Sequence, residues 1–197
     1  LMSTDQTIVA PPKNLRVIKT NLAFVENLAK KNVWEGCIIS KPYKMCDYKV
    51  AYGEMFQEYI KDYDFWGHCD ADLIFGDIRK FVTDDILNKY DRLGVDGFFS
   101  LFRNTIEINA IYRKADDITK IFTEQKPFGF DEWGLCHNGT AHYWMNNLKD
   151  KVWLDKVFDN LAPYHYGFFS GTVRKFNLGI KKIMFSFENG KLFRYGI

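Results

Sequence analysis

Two aspartates, Asp70 and Asp72, interrupt an otherwise apolar stretch, DFWGHCDADLIFGDIRKF, over residues 64–81. Burying one unpaired carboxylate is costly, and two neighbouring ones also repel each other. A compensating group is therefore expected: a metal ion, a basic side chain or water at a strand end. On an extended chain a spacing of two puts both side chains on one side. Paired carboxylates at a strand's carboxyl end would offer hard oxygen ligands to Mg2+ or Mn2+. Such an ion could neutralise a diphosphate and stabilise it as a leaving group. The ordinary structural role of such a pair is to cap the following turn. His68 alternates with Asp70 and is expected to face the same side, supporting the site rather than lining it.

Further candidates flank this pair. Upstream, KPYKMCDYKVAYG carries Asp47 and Lys49 at a helix start. An acid there could accept from a ribose hydroxyl or a base edge, and Lys49 could meet a phosphate. The plainer roles are a helix-start Asp and a solvated Lys. Downstream, FGFDEWG holds Asp131, Glu132 and Trp133 between glycines. A carboxylate beside an aromatic face suits a sugar hydroxyl, as general base or orienting acceptor; the same acids would also suit the first turn of a helix. FFSLFRNT delivers Arg103 and Asn104 to another strand end, where they could bind substrate. His68, His137, His142 and His165 have no metal-ligand spacing.

The elements that must position these residues alternate between strand and helix. Strands are expected over LRVIKT (15–20), DFWGHCD (64–70) and GFFSLFR (97–103). Helices are expected over NLAFVENLAKK (21–31) with an Asn21 cap, YKVAYGEMFQEYI (48–60), TDDILNKYDRL (83–93) with a Thr cap, and NTIEINAIYRKA (104–115). Asn189-Gly190 between FSF and KLFRY predicts a C-terminal β-hairpin. Alternation of this kind predicts an α/β domain with an at least partly parallel sheet, whose ligands collect beyond the carboxyl ends of the strands. No repeat or linker divides the chain, so residues 1–197 read as a single domain.

Bulk composition narrows the classes. The 197 residues are 47% hydrophobic and 26% charged, the balance of a globular domain. A net charge of +2 argues against a nucleic-acid partner. No apolar run reaches the roughly 20 residues of a membrane-spanning helix. The four cysteines form no C-x-x-C pair and fit a reducing cytoplasm. Aromatic residues reach 17%, enough for a Phe-rich core and for faces that stack on a sugar ring or a base.

Taken together, KPYKMCDYKVAYGEMF, YDFWGHCDADLIFGDIRKF, FFSLFRNT, FGFDEWG and FSFENGKLFRY resemble bacterial GT-A-type glycosyltransferase-like proteins linked to lipopolysaccharide and capsule synthesis. The resemblance spans nearly the whole chain. It implies a GT-A-like, Rossmann-related mixed sheet flanked by helices that binds a nucleotide sugar. Asp70 and Asp72 would match the D-x-D that binds Mn2+ or Mg2+ and the donor diphosphate. Asp47 and Lys49 would match the donor-contacting acid and base, and Asp131 or Glu132 the acceptor-side position where an inverting enzyme keeps its base. The partners implied are a nucleotide-sugar donor and a glycan or lipid-linked acceptor, met in the cytoplasm or at the inner face of the cell membrane.

The chain departs from that pattern at both ends. It begins at the turn Ser3-Thr4-Asp5, without the initial strand and helix of the nucleotide pocket, and it stops before a later His that could complete the metal site. An interior fragment of a longer protein is the expectation. Two rival functions stand beside a transferase. One is a non-catalytic sugar- or nucleotide-binding module. The other is a D-x-D phosphohydrolase, which prefers Thr or Val where this chain has Ile74 and a later Asp pair after a strand.

Overall fold

The structure, a computed structural model, describes residues 2–3, 13–70, 73–75, 77–80, 82–97, 99–131 and six short strand segments between 152 and 196. It opens with β1 (Met2–Ser3) and β2 (Ile18–Lys19), paired in parallel. Helix α1 (Leu22–Asn32) follows, with Asn21 accepting from the Phe24 amide at 2.9 Å, as its position ahead of the apolar stripe predicts.

The next segment does not form the single helix expected over 48–60. A 3₁₀ turn (Pro42–Lys44), α2 (Met45–Tyr48), a second 3₁₀ turn (Lys49–Ala51), α3 (Tyr52–Met55) and α4 (Gln57–Ile60) succeed one another. The reason is burial on every side. Asp47, Tyr48, Lys49, Val50 and Ala51 are all buried in succession, so the backbone follows several partners instead of one amphipathic face. At Gly53 the chain lies against the sheet so closely that a Cβ would come within 2.7 Å of Trp66 Nε1.

Strands β3 (Phe65–Cys69), β4 (Leu73–Ile74), β5 (Arg92–Asp96) and β6 (Phe99–Arg103) come next, with α5 (Asp84–Lys89) ahead of β5. Thr83 caps α5 on the Ile86 amide. The helix ends at Lys89 rather than running to Leu93, and Arg92 and Leu93, expected at its end, open the strand Arg92–Asp96. RLGVDGFFSLF in fact carries a hairpin signal of its own, Asp96-Gly97 between apolar runs. At Gly94, φ of +75° sits in a one-residue register shift between β5 and β6, a left-handed position that favours glycine.

Helices α6 (Ile106–Asn109), capped by Thr105, and α7 (Ile118–Thr123) precede β7 (Val152–Trp153), β8 (Asp159–Asn160), β9 (Pro163–Tyr164), β10 (Gly167–Phe168), β11 (Ile183–Glu188) and β12 (Lys191–Gly196). The last two pair antiparallel out to Glu188 opposite Lys191, the predicted hairpin.

The principal sheet runs β3-β6-β5-β7 and is mixed. Its first three strands are antiparallel, and β5 pairs with β7 in parallel. Among the described residues the parallel character expected from strand–helix alternation is found in β5–β7 and β1–β2, because the connection at Gly97 folds β6 straight back on β5. Register puts Trp66, His68, Ser100, Phe102 and Arg92 on one face. Trp66 and Phe102 stack there at 4.5 Å and enter the helical core with Val25, Met55, Ile108 and Phe122. Each such side chain contributes about 1.5–3 kcal/mol by leaving water. Among the described residues no helix is long and apolar enough to cross a membrane.

Candidate functional site

Alternation along β3 carries Asp70, one residue past the strand, toward the face of Trp66 and His68. There it meets Lys49. The Lys49 ammonium donates to Asp70 Oδ1 at 2.6 Å and to the Gly97 carbonyl at 2.8 Å, and pairs with Asp131 Oδ2 at 2.8 Å. An ammonium has three protons, and these contacts use all of them. The Lys49 and Asp131 side chains are 9% and 5% exposed, whereas Asp70 is 34% exposed and forms the outward edge of the cluster. Burial is the largest single influence on Lys49 and favours the neutral amine. The hydrogen bonds and charges of Asp131 and Asp70 together outweigh it and hold its pKa above the ordinary lysine value.

Asp131 reaches this cluster through a second buried network. Lys44 and Asp47 are paired at 2.8 Å with both side chains fully buried. Lys44 also donates to the carbonyls of Ile121 at 2.6 Å and Lys126 at 2.8 Å. The Asp47 carboxylate accepts the Phe128 amide at 3.0 Å and the Phe130 amide at 2.9 Å. Between those amides Gly129 takes φ of +63°, which turns the chain so that both N–H groups face one carboxylate. Asp47 thus fixes the loop that ends in Asp131. It is enclosed by the protein and shapes the cluster from behind.

Several neighbours were not singled out from the sequence. The Gly97 carbonyl is one, and its signal was the Asp-Gly turn. Tyr52 packs edge-on against His68 at 6.3 Å and donates to the Met45 carbonyl; burial, then Cys46, Asp131 and Asp70, push its phenol pKa up. The Cys46 thiol is pushed up to about 11 by burial and then by Asp131, so it is a neutral thiol at physiological pH. His68 points inward, 8% exposed, and neither ring nitrogen has a hydrogen-bond partner among the described residues. Burial, followed by the charges of Lys49 and Arg92, holds its pKa well below 6.5, so it is a neutral ring rather than a base.

Arg103 lies elsewhere. It pairs in register with Phe65, at the opposite end of β3 from Asp70, about 16 Å along the strand. Its guanidinium stacks over the Phe65 ring at 4.8 Å, donates to Asp91 at 2.8 Å, and reaches the carbonyls of Leu87 and Tyr90. A cleft of about 830 Å3 opens beside it, lined in part by Tyr63, Asp64, Asn88 and Asn104. Asn104 itself donates to the carbonyls of Ile60 and Tyr63. Asp72, Glu132 and Trp133 lie outside the described residues.

Among the described residues no group of three His, Cys, Asp or Glu side chains is arranged to hold a metal ion. The donor type still suits a hard cation. Each carboxylate has lone pairs beyond the one Lys49 engages, and Asp70 turns part of its surface outward. Chemically, the cluster is two carboxylates held on one ammonium, a net negative group at a strand's carboxyl end.

Residues 1–197 match a family of unknown function, DUF6625, and the chain belongs to that family. No curated protein and no solved structure matches it.

Proposed function

From the motif resemblance and this geometry, we propose that the chain is a GT-A-like domain that transfers a sugar from a nucleotide-sugar donor to a cell-surface polysaccharide or lipopolysaccharide acceptor. One observation supports the reading most. Three segments distant in sequence bring Asp70, Lys49 and Asp131 to the carboxyl end of β3, with Asp70 outermost. A divalent ion, Mn2+ or Mg2+, would be held by Asp70 with Asp72 and would supply positive charge to the departing diphosphate. Asp131 keeps Lys49 charged and in place. Glu132, next in sequence, is the candidate base that would take the acceptor hydroxyl's proton, with Trp133 as a face for the sugar ring. Asp47 holds the Phe128–Phe130 loop that leads to Asp131, and the acceptor is a glycan or a lipid-linked glycan met in the cytoplasm or at the inner membrane face.

A second reading has its own support. All three Lys49 protons are spent on the protein itself, which also suits a module that binds a sugar or nucleotide without catalysis. Titration with UDP and GDP, with and without Mn2+, separates the possibilities. The transferase reading expects metal-dependent nucleotide binding that Asp72→Ala removes while the circular dichroism spectrum stays native. Nucleotide binding unchanged in Asp72→Ala would refute the metal role. Glycan binding without any nucleotide favours the module, and phosphate release from simple phosphoesters favours the phosphohydrolase.

A further inference from the structure

The position of Lys49 carries a consequence for how the site loads, resting on the transferase reading for the identity of the nucleotide. We propose that Lys49 is the resident cation of the Asp70–Asp131 pair, and that it suppresses divalent-cation binding at Asp70 until a nucleoside diphosphate draws its ammonium away.

With three donors committed to Asp70, Asp131 and the Gly97 carbonyl, Lys49 can contact a phosphate only by releasing one partner. Asp131 is 5% exposed, on the inner side of the cluster, and Gly97 offers a buried carbonyl. Asp70, 34% exposed and one residue past the strand, is the partner that can let go toward solvent. Charge gives the same answer. A divalent ion on Asp70 with Lys49 still in contact would stand within a few ångströms of an ammonium whose own side chain is only 9% exposed, so that water screens the repulsion of like charges only in part. A diphosphate removes that obstacle, since its oxygens give the ammonium a new acceptor and its charge offsets both cations. Metal and diphosphate therefore load together, and by linkage each tightens the other equally.

Mn2+ binding to the purified chain, followed by the electron paramagnetic resonance signal of free Mn2+, tests this directly. Wild type is expected to bind Mn2+ weakly alone and about 5–150-fold more tightly with UDP or GDP present, the usual span of such coupling. Lys49→Met is expected to bind Mn2+ alone at least tenfold more tightly than wild type and to lose the nucleotide enhancement. Lys49→Arg, which keeps the charge and folds under the same constraints, should remain weak toward Mn2+ alone. A Lys49→Met protein with a native circular dichroism spectrum and no gain in Mn2+ affinity overturns the proposal. Should Lys49→Met fail to fold, equal Mn2+ affinity of wild type with and without both nucleotides overturns it too. If wild type binds neither nucleotide but Lys49→Met still gains Mn2+ affinity, the transferase reading fails while Lys49 as resident cation stands.

Discussion

Asp47 offers the sharpest test of how the cluster is built. Its carboxylate is fully buried, pairs with Lys44, and accepts the Phe128 and Phe130 amides. Asp47→Ala would strand the Lys44 ammonium on two carbonyls and leave both amides without an acceptor. Breaking a buried pair on one side costs about 3–5 kcal/mol. Two orphaned amides would add ~1–3 kcal/mol each if nothing moved, but the same loop relaxation serves all three groups. We therefore expect a loss of ~3–5 kcal/mol, a large part of the ~5–15 kcal/mol that holds a typical domain. For a chain of this size that corresponds to a fall in Tm of about 6–20 °C. Asp47→Asn, which keeps one acceptor oxygen, should lose about 1–3 kcal/mol. Urea and thermal unfolding by circular dichroism measure both. A donor-contacting Asp47 would behave otherwise: nucleotide affinity would fall while stability stayed within about 0.5 kcal/mol, as for a surface substitution. An Asp47→Ala protein unfolding at the wild-type midpoint would refute the clamp.

Two more outcomes follow from the same geometry. His68 is held neutral in the fold, with a pKa well below 6.5, so the unfolded chain binds its proton first as pH falls. Its contribution is complete above about pH 6.5 and shrinks on acidification by up to ~1.4 kcal/mol per pH unit. His68→Phe should flatten the stability profile by one proton in that window, and parallel wild-type and mutant curves would count against this assignment. Arg103→Ala removes the Asp91 pair and the Phe65 stack, for a loss of about 1–3 kcal/mol. Because Arg103 sits at the far end of β3, nucleotide affinity should stay within about twofold, and a tenfold loss would move the binding site to that end of the sheet.

What the sequence made legible was local. The Asn21 and Thr83 caps, the β3 and β6 strands and the Asn-Gly hairpin each rest on signals within a few residues, and each is where the pattern put it. The helix over 48–60 failed because Tyr48, Lys49, Val50 and Ala51 are all buried and Lys49 is drawn to Asp70, Gly97 and Asp131 far along the chain, a tertiary demand that no window of sequence contains. The start of β5 was given to a helix because Arg92, a charged residue, is fully buried over Phe102. Of the candidate site residues, spacing brought Asp70, Lys49 and Asp131 to notice, but it could not show that one ammonium joins them. Nor could it separate Asp47, which lies behind the cluster, from Lys49, which lies in it, since two residues of sequence are the only difference between them.

The awkward acid at the end of β3 is thus answered in part by a lysine. That answer has a direction. A structural ion pair has no need of a partly exposed member, yet Asp70 keeps a third of its side chain in water while Lys49 and Asp131 are almost wholly enclosed. Were stability the sole purpose, a hydrophobic replacement of the three groups would serve as well or better, since desolvating charges offsets most of what their attraction returns. The arrangement makes physical sense if the buried pair, Lys49 and Asp131, exists to present Asp70 at an edge where its remaining lone pairs meet something positive from outside. Under the proposed function Asp72, two residues on in the sequence, would be the second carboxylate for such a ligand. Its replacement by Ala, with Lys49 intact, therefore tests the loading site: lost Mn2+-dependent nucleotide binding makes Asp72 part of it, unchanged binding removes Asp72 from it, and a wild type that binds neither Mn2+ nor nucleotide leaves a self-contained ion cluster.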